Sequence, residues 1–246
     1  THCISSAASD VYKRQGYISF VGTRLRSKAL GVVHISGFRF VERDYIIFQE
    51  VARWRVITGK QICTLAGFSG QRACDRRLKK LIEAGFLTRQ RIIYGIPSIY
   101  SLTRTAKALI GASERAEKIR LEQISHDITV LNVAIYFHKI TGISFQDIRT
   151  EKQLHSIDGF SNRRHRPDFI YIKDGKTTCV EVELSLKNKE RLEKNIKQDF
   201  VNYDFTYWVV PDIESKIAQI VVKNRIAYPT IGILELSEIK EEFEHG

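Results

Sequence analysis

The 246-residue chain contains no methionine and only four prolines. Its four cysteines, Cys3, Cys63, Cys74 and Cys179, form neither a CxxC pair nor a zinc-finger spacing, which argues against a cysteine-ligated zinc site and a disulfide framework. Reduced thiols and a cytoplasmic location are the expectation. No apolar run approaches the roughly 18 residues that a membrane span requires, and no apolar stretch of signal-peptide type opens the chain. A glycine-rich phosphate loop, a GxSxG elbow, internal repeats and low-complexity tracts are also missing, which argues against nucleotide-binding loops and serine-hydrolase chemistry. Acidic charge is in short supply: 39 Lys and Arg face 28 Asp and Glu, a formal net charge of +11. That excess favours a polyanionic partner, nucleic acid above all. With 43% hydrophobic and 27% charged residues the chain is otherwise of ordinary globular composition, long enough for one large domain or two of common size.

The absence of methionine implies that the true start of the protein is missing. The run from Cys3 to Gln15 resembles translated sequencing-adaptor sequence and is set aside. Residues 16–42 carry strand-like patches at Tyr17–Val21 and Val32–Ile35 among glycines and basic residues, and read as a basic arm of uncertain role.

Residues 43–111 have the pattern of a winged helix-turn-helix. Ile46, Ile47, Val51 and Trp54 fall at helical spacing, Thr58 caps a short helix, Gly67-Phe68-Ser69 makes a tight turn, and Ser69 is the expected N-cap of the next helix. That helix buries Leu78, Leu81 and Ile82, displays Gln71, Arg72, Arg76, Arg77, Lys79 and Lys80, and ends at Gly85. Leu87–Tyr94 and Ser98–Leu102 form a hairpin with Arg89 and Arg91 on it. A basic helix after a tight turn suits the major groove of duplex DNA, with first-turn side chains at base edges and the remaining cations on phosphates. A protein-binding winged helix, or a solvated basic face, is the alternative.

Residues 112–246 read as a second domain, α/β with a mixed central sheet. A long helix is expected over Ser113–His138, with His126 at the border of the core, where a structural role competes with a catalytic one. The elements that follow are a strand over Ser144–Ser156, strands at Pro167–Lys173 and Thr177–Leu184, a helix at about 187–201, and a strand at Phe205–Val210. A helix over Ile213–Val222 and a last strand at Ile231–Leu236 end the series. Between the first two strands, Asn162-Arg163-Arg164-His165-Arg166 is a basic loop suited either to a scissile phosphate or to a solvated turn.

The centre of this half is the hairpin closed by Asp174-Gly175. Its register sets Asp168 opposite Glu181 and puts Glu183 on the same face, while Phe169, Tyr171, Val180, Val182 and Leu184 share the other. Two carboxylates about 5 Å apart repel by roughly 3 kcal/mol at an effective dielectric of about 20, and a divalent cation turns that penalty into a binding site. The alternative is that the acids point to solvent and pair with nearby lysines.

The order Pro-Asp, a dozen residues, then Glu-x-Glu before a lysine-bearing helix resembles the PD-(D/E)xK nuclease superfamily, whose core order is helix, three strands, helix, strand. Combined with the winged helix, the His126-Asp127 pair and the later Asn132, the chain from about 43 to 236 resembles the replication-relaxation family and is similar to MobC-type mobilisation relaxases. That resemblance implies a restriction-endonuclease-like domain joined to a module that binds duplex DNA at an origin of transfer. It also implies Mg²⁺ or Mn²⁺ held by Asp168, Glu181 and Glu183, and nicking of one strand. His126 and Asp127 become accessory candidates, and other mobilisation or replication proteins become candidate partners. The usual lysine position holds Glu183, so a second metal ion, Lys187, Lys194 or an arginine of 163–166 must supply the positive charge. Tyrosine relaxases hold their metal with a histidine cluster such as HxH, which this chain lacks. A non-catalytic replication or transfer regulator, and an endonuclease cutting both strands, remain the competing functions.

Overall fold

The computed structural model describes residues 34–35, 38–92, 94–113, 119–158, 165–186 and 188–244. The adaptor-like segment, most of the basic arm, Arg163, Arg164 and Lys187 lie outside the described residues.

Two short strands, β1 (His34–Ile35) and β2 (Phe38–Arg39), pair antiparallel and lead into helix α1 (Glu42–Arg53). Thr58 then caps α2 (Gly59–Leu65) through a reciprocal bond set with Gln61, the Thr-x-x-Gln form of a capping box. Helix α3 (Gln71–Glu83) starts one residue later than expected, with Gly70 instead of Ser69 at the N-cap. It stops at Gly85, whose φ of 78° is the left-handed conformation that closes a helix without a Cβ penalty. Strands β3 (Leu87–Gln90) and β4 (Ile99–Leu102) form the antiparallel hairpin, and Ile99 also bridges to Thr58. An aromatic cluster of Phe38, Phe40, Phe48 and Phe86, with ring centroids 4.8–6.3 Å apart, anchors these elements.

After α4 (Arg104–Leu109) comes α5 (Ile124–Thr141). The long helix expected from Ser113 begins only at Ile124, preceded by a single 3₁₀ turn at Leu121–Gln123. The strand expected over Ser144–Ser156 is also corrected. Only Ile148–Thr150 is strand (β5), and α6 (Glu151–Asp158) follows at once. Thr150 and Gln153 exchange backbone-to-side-chain bonds of 3.0 and 3.4 Å, a capping box that starts the helix in mid-segment. Then come β6 (Phe169–Lys173), β7 (Lys176–Val182), α7 (Lys189–Asn202), β8 (Phe205–Val210), α8 (Lys216–Arg225) and β9 (Ile231–Glu235). A final helix, α9 (Leu236–Glu244), was not expected.

The sheet runs β5-β6-β7-β8-β9, antiparallel across its first three strands and parallel across the rest, and so is mixed as expected. The β6–β7 register is the one the Asp-Gly turn demands: Phe169 pairs with Val180 and Lys173 with Lys176. Asp174 and Gly175 have φ of 51° and 74°, the two positive values of a type I′ turn. Phe169, Tyr171, Val180 and Val182 pack beneath α5, whose Phe137 ring lies 5.2–6.2 Å from Phe169, Tyr171 and Tyr207. The opposite face is covered as well. Leu154 of α6 packs on Ile170 and Cys179, and Leu192 and Ile196 of α7 pack against Trp208. The acid-bearing face therefore lies inside a helix–sheet–helix sandwich and does not look out to solvent.

The two halves share one continuous core, running from Phe40 through α5 to Ile239. Polar bonds stitch the joint. Gln61 Nε2 donates to Ile128 O and Asn132 Oδ1, both at 2.8 Å, and Arg53 donates to the carbonyls of Phe145 and Ile148. Arg55 bridges Asp127 and Glu151 at 3.3 Å each. Asn132 is thus a packing partner of the N-terminal half.

Candidate functional site

The β6–β7 ladder, continued by one residue, brings Asp168 level with Glu181. The Asp168 main chain also pairs outward, accepting from Glu151 N at 2.9 Å, while its Oδ2 accepts from Val182 N at 2.8 Å. His126 on α5 reaches the same point. Its Nε2 is 3.0 Å from Val182 O, to which it donates, and 3.6 Å from Asp168 Oδ2. Burial works to lower the His126 pKa. The Asp127 carboxylate, Asp168 and the Val182 carbonyl outweigh burial and carry it up to about 9, so the ring is an imidazolium at neutral pH. Burial raises Asp168 to about 6, opposed by His126 and the Val182 N–H and assisted by the charges of Glu151 and Glu183.

Glu181 faces the other way along the same strand surface, toward α7. It is 8% exposed, and its carboxyl is pushed well above the usual range by burial, with Asp199 and Asp168 adding and His165 opposing. His165 Nε2 lies 2.6 Å from Glu181 Oε1 and 3.5 Å from Asp199 Oδ2. Burial disfavours the imidazolium, but Asp199 and Glu181 raise the His165 pKa to about 10. Asp199 is 1% exposed and is itself raised by burial, with His165 opposing.

Asp168 and Glu181 are therefore electrostatic neighbours, as Asp168 and Glu183 are. The tightest gathering of ligand atoms among the described residues is nevertheless a different one: His165, Glu181 and Asp199, all within 4.8 Å of one another. Sequence reasoning treated His165 only as part of a basic loop and did not single out Asp199. A signal for Asp199 existed, because Leu192, Ile196 and Asp199 form the buried stripe of α7 at helical spacing, and an acid on that stripe must meet a partner. Glu183 is half-buried, its N–H donating to Val209 O at 3.0 Å. Lys194 is exposed on α7, and Lys187 is outside the described residues.

On the N-terminal half, Gln71, Arg72, Arg76, Lys79 and Lys80 are exposed on α3, and Arg89 and Arg91 are exposed at β3. Gln71 bonds Asp75 at 2.8 Å and Lys79 reaches Glu83 at 3.7 Å, both along the helix surface. Arg77 differs from them. It turns inward, its Nε donating to the fully buried Asp44 at 2.7 Å while its guanidinium stacks over Phe38.

The replication-relaxation profile matches residues 48–202, more than half of the chain. The chain belongs to the replication-relaxation family. No curated protein matches the sequence. The match begins inside α1 and ends at the last residue of α7, so both the basic helix α3 and the cluster of Asp168, Glu181 and Asp199 fall within the family's own span. Membership in the replication-relaxation family supports a role in plasmid replication or transfer. Among the described residues, no helix is long and apolar enough to cross a membrane.

Proposed function

We propose that this member of the replication-relaxation family binds a duplex origin site through a winged helix formed by α1–α3 and the β3–β4 hairpin. A restriction-endonuclease-like domain then nicks one strand by metal-dependent phosphodiester hydrolysis. The observation that carries the reading is the pair Asp168 and Glu181, level with each other at the end of a hairpin where the next helix begins, in a core shared with an exposed basic helix. Their chemistry fits a hard divalent cation: both are oxygen donors whose negative form is disfavoured by burial, and the Asp168 charge adds to that at Glu181. Bound there, Mg²⁺ or Mn²⁺ supplies Lewis acidity toward the phosphate and the attacking water.

The chain's own residues do the rest. Asp168 and Glu181 would hold the ion, with Asp168 oriented by the Val182 N–H. Glu183, in the position where lysine is usual, orients water. His126, fixed by its 3.0 Å bond to the Val182 carbonyl and beside Asp127, is an accessory residue at this position. Arg72, Arg76, Lys79, Lys80, Arg89 and Arg91 bind the duplex phosphates and base edges.

A second reading, a non-catalytic DNA-binding regulator, draws support from Glu183 in the lysine position and from the 2.6 Å bond that already engages Glu181 with His165. Incubation with supercoiled plasmid carrying the cognate origin, in Mg²⁺ or Mn²⁺ with and without EDTA, separates the readings. Nicked circles that disappear with EDTA and with Asp168→Ala, while DNA binding persists, support the nickase. Linear product points to cleavage of both strands, and uncut plasmid in both metals overturns catalysis in favour of the regulator.

A further inference from the structure

Glu181 and Asp199 place two carboxylates in the interior, 8% and 1% exposed, with a single imidazole between them. Burial disfavours the charged form of both carboxyls, and His165 Nε2 lies within 3.5 Å of an oxygen of each. Asp199 Oδ2 is buried, makes no hydrogen bond, and points toward His165 Nε2 across 3.5 Å. A buried carboxylate oxygen of this kind is a position that an ion can satisfy. The three residues come from separate elements: the segment before β6, strand β7 and helix α7.

We propose that His165 Nε2, Glu181 Oε1 and Asp199 Oδ2 form a second divalent-cation site, of mixed imidazole and carboxylate chemistry, that takes Mn²⁺ or Zn²⁺ and clamps these three elements together. A 2+ ion with a neutral imidazole cancels the two carboxylate charges, and the protons held by His165 and by the carboxyls leave to solvent. In a tetrahedral site, ligands at about 2.0–2.2 Å from the ion stand roughly 3.3–3.6 Å from one another. The His165–Asp199 separation of 3.5 Å already meets that spacing. Glu181, at 2.6 Å from His165, retreats by roughly 0.7–1.0 Å as the ion replaces the shared proton. A nitrogen donor and only three protein ligands suit Mn²⁺ or Zn²⁺, whereas Mg²⁺ prefers all-oxygen octahedral coordination. The site shares Glu181 with the proposed nicking centre but uses neither Asp168 nor Glu183.

The test uses the full chain, stripped of metal and titrated with Mn²⁺, followed by calorimetry and pulsed electron paramagnetic resonance. One bound ion should show hyperfine coupling to a histidine nitrogen, and that coupling should vanish in His165→Gln. Asp199→Asn should weaken Mn²⁺ binding on the order of 100-fold, and Asp168→Asn should leave the nitrogen-coupled ion in place. Wild-type protein whose bound Mn²⁺ lacks nitrogen coupling overturns the proposal whether or not the variants fold. Coupling that survives His165→Gln but is lost in His126→Gln does the same, because the ion then sits at Asp168. Neither readout involves plasmid cleavage, so failure here is separate from failure of the nicking reaction.

Discussion

Arg77 on α3 and Asp44 on α1 form a two-point ion pair across the N-terminal half, with Nε to Oδ1 at 2.7 Å and a second contact from the guanidinium to Oδ2. Asp44 has no solvent exposure, and its Oδ2 also accepts the Val41 N–H at 2.9 Å. Removing Arg77 strands the Asp44 carboxylate in the interior, so Arg77→Ala should destabilise the chain by about 3–5 kcal/mol. Asp44→Ala leaves a partly exposed Arg77 and should cost less, and the double variant should lose clearly less than the sum. Urea denaturation midpoints of the four proteins measure this. Additive losses would mean that the pair is not a coupled unit.

The inward turn of Arg77 separates it from its neighbours in DNA binding. Arg72→Ala and Arg76→Ala should each weaken duplex binding, by about 1–3 kcal/mol where the arginine reads a base, and should flatten the dependence of affinity on salt. Both side chains are exposed, so stability should hardly change. Fluorescence anisotropy at several salt concentrations checks the prediction, and unchanged affinity in the double variant would remove α3 from the interface.

Gly232 lies beside Tyr207 in the parallel β8–β9 pair, and a Cβ there would come within 2.5 Å of the Tyr207 ring. The ring cannot retreat freely, because it packs edge-on against Phe137 at 5.2 Å. Gly232→Ala should therefore destabilise by about 1–3 kcal/mol through overpacking. Combining it with Tyr207→Leu should recover part of the loss in thermal melts. A neutral Gly232→Ala would show that β9 shifts to make room.

Burial pushes the Cys74 thiol from an ordinary value near 9 up to about 12, with nearby Cys63 and Asp75 adding to the shift. The folded chain keeps this proton after the unfolded chain has lost it, so the contribution is complete below pH 9 and declines as pH rises toward 12. Stability against urea should fall across that alkaline window, and Cys74→Ala should reduce the slope. An identical slope in the variant would assign the alkaline loss to other groups, such as Tyr100 and Tyr171, whose pKa values burial also raises.

What the sequence determined by itself was what neighbouring residues settle among themselves. Asp174-Gly175 imposes one turn type, that turn imposes one register, and the two faces of the hairpin follow. Thr58 and Gly85 likewise mark helix ends with bonds and dihedrals that span a few residues. The Thr150–Gln153 capping box was equally local, and the strand expected across it was a misreading of a signal that was present. Tertiary packing decided the rest. Arg77 is one of six polar residues displayed along one helix, and only the position of α1 makes it the partner of Asp44. The acid face could be wet or covered on hairpin evidence alone, and the crossovers that lay α6 and α7 over it settled the matter. Residues 165, 181 and 199 belong to three elements, and nothing in their spacing brings them within 4.8 Å. That convergence depends on the parallel pairing of β7 with β8, which returns α7 across the sheet and sets Asp199 against Glu181.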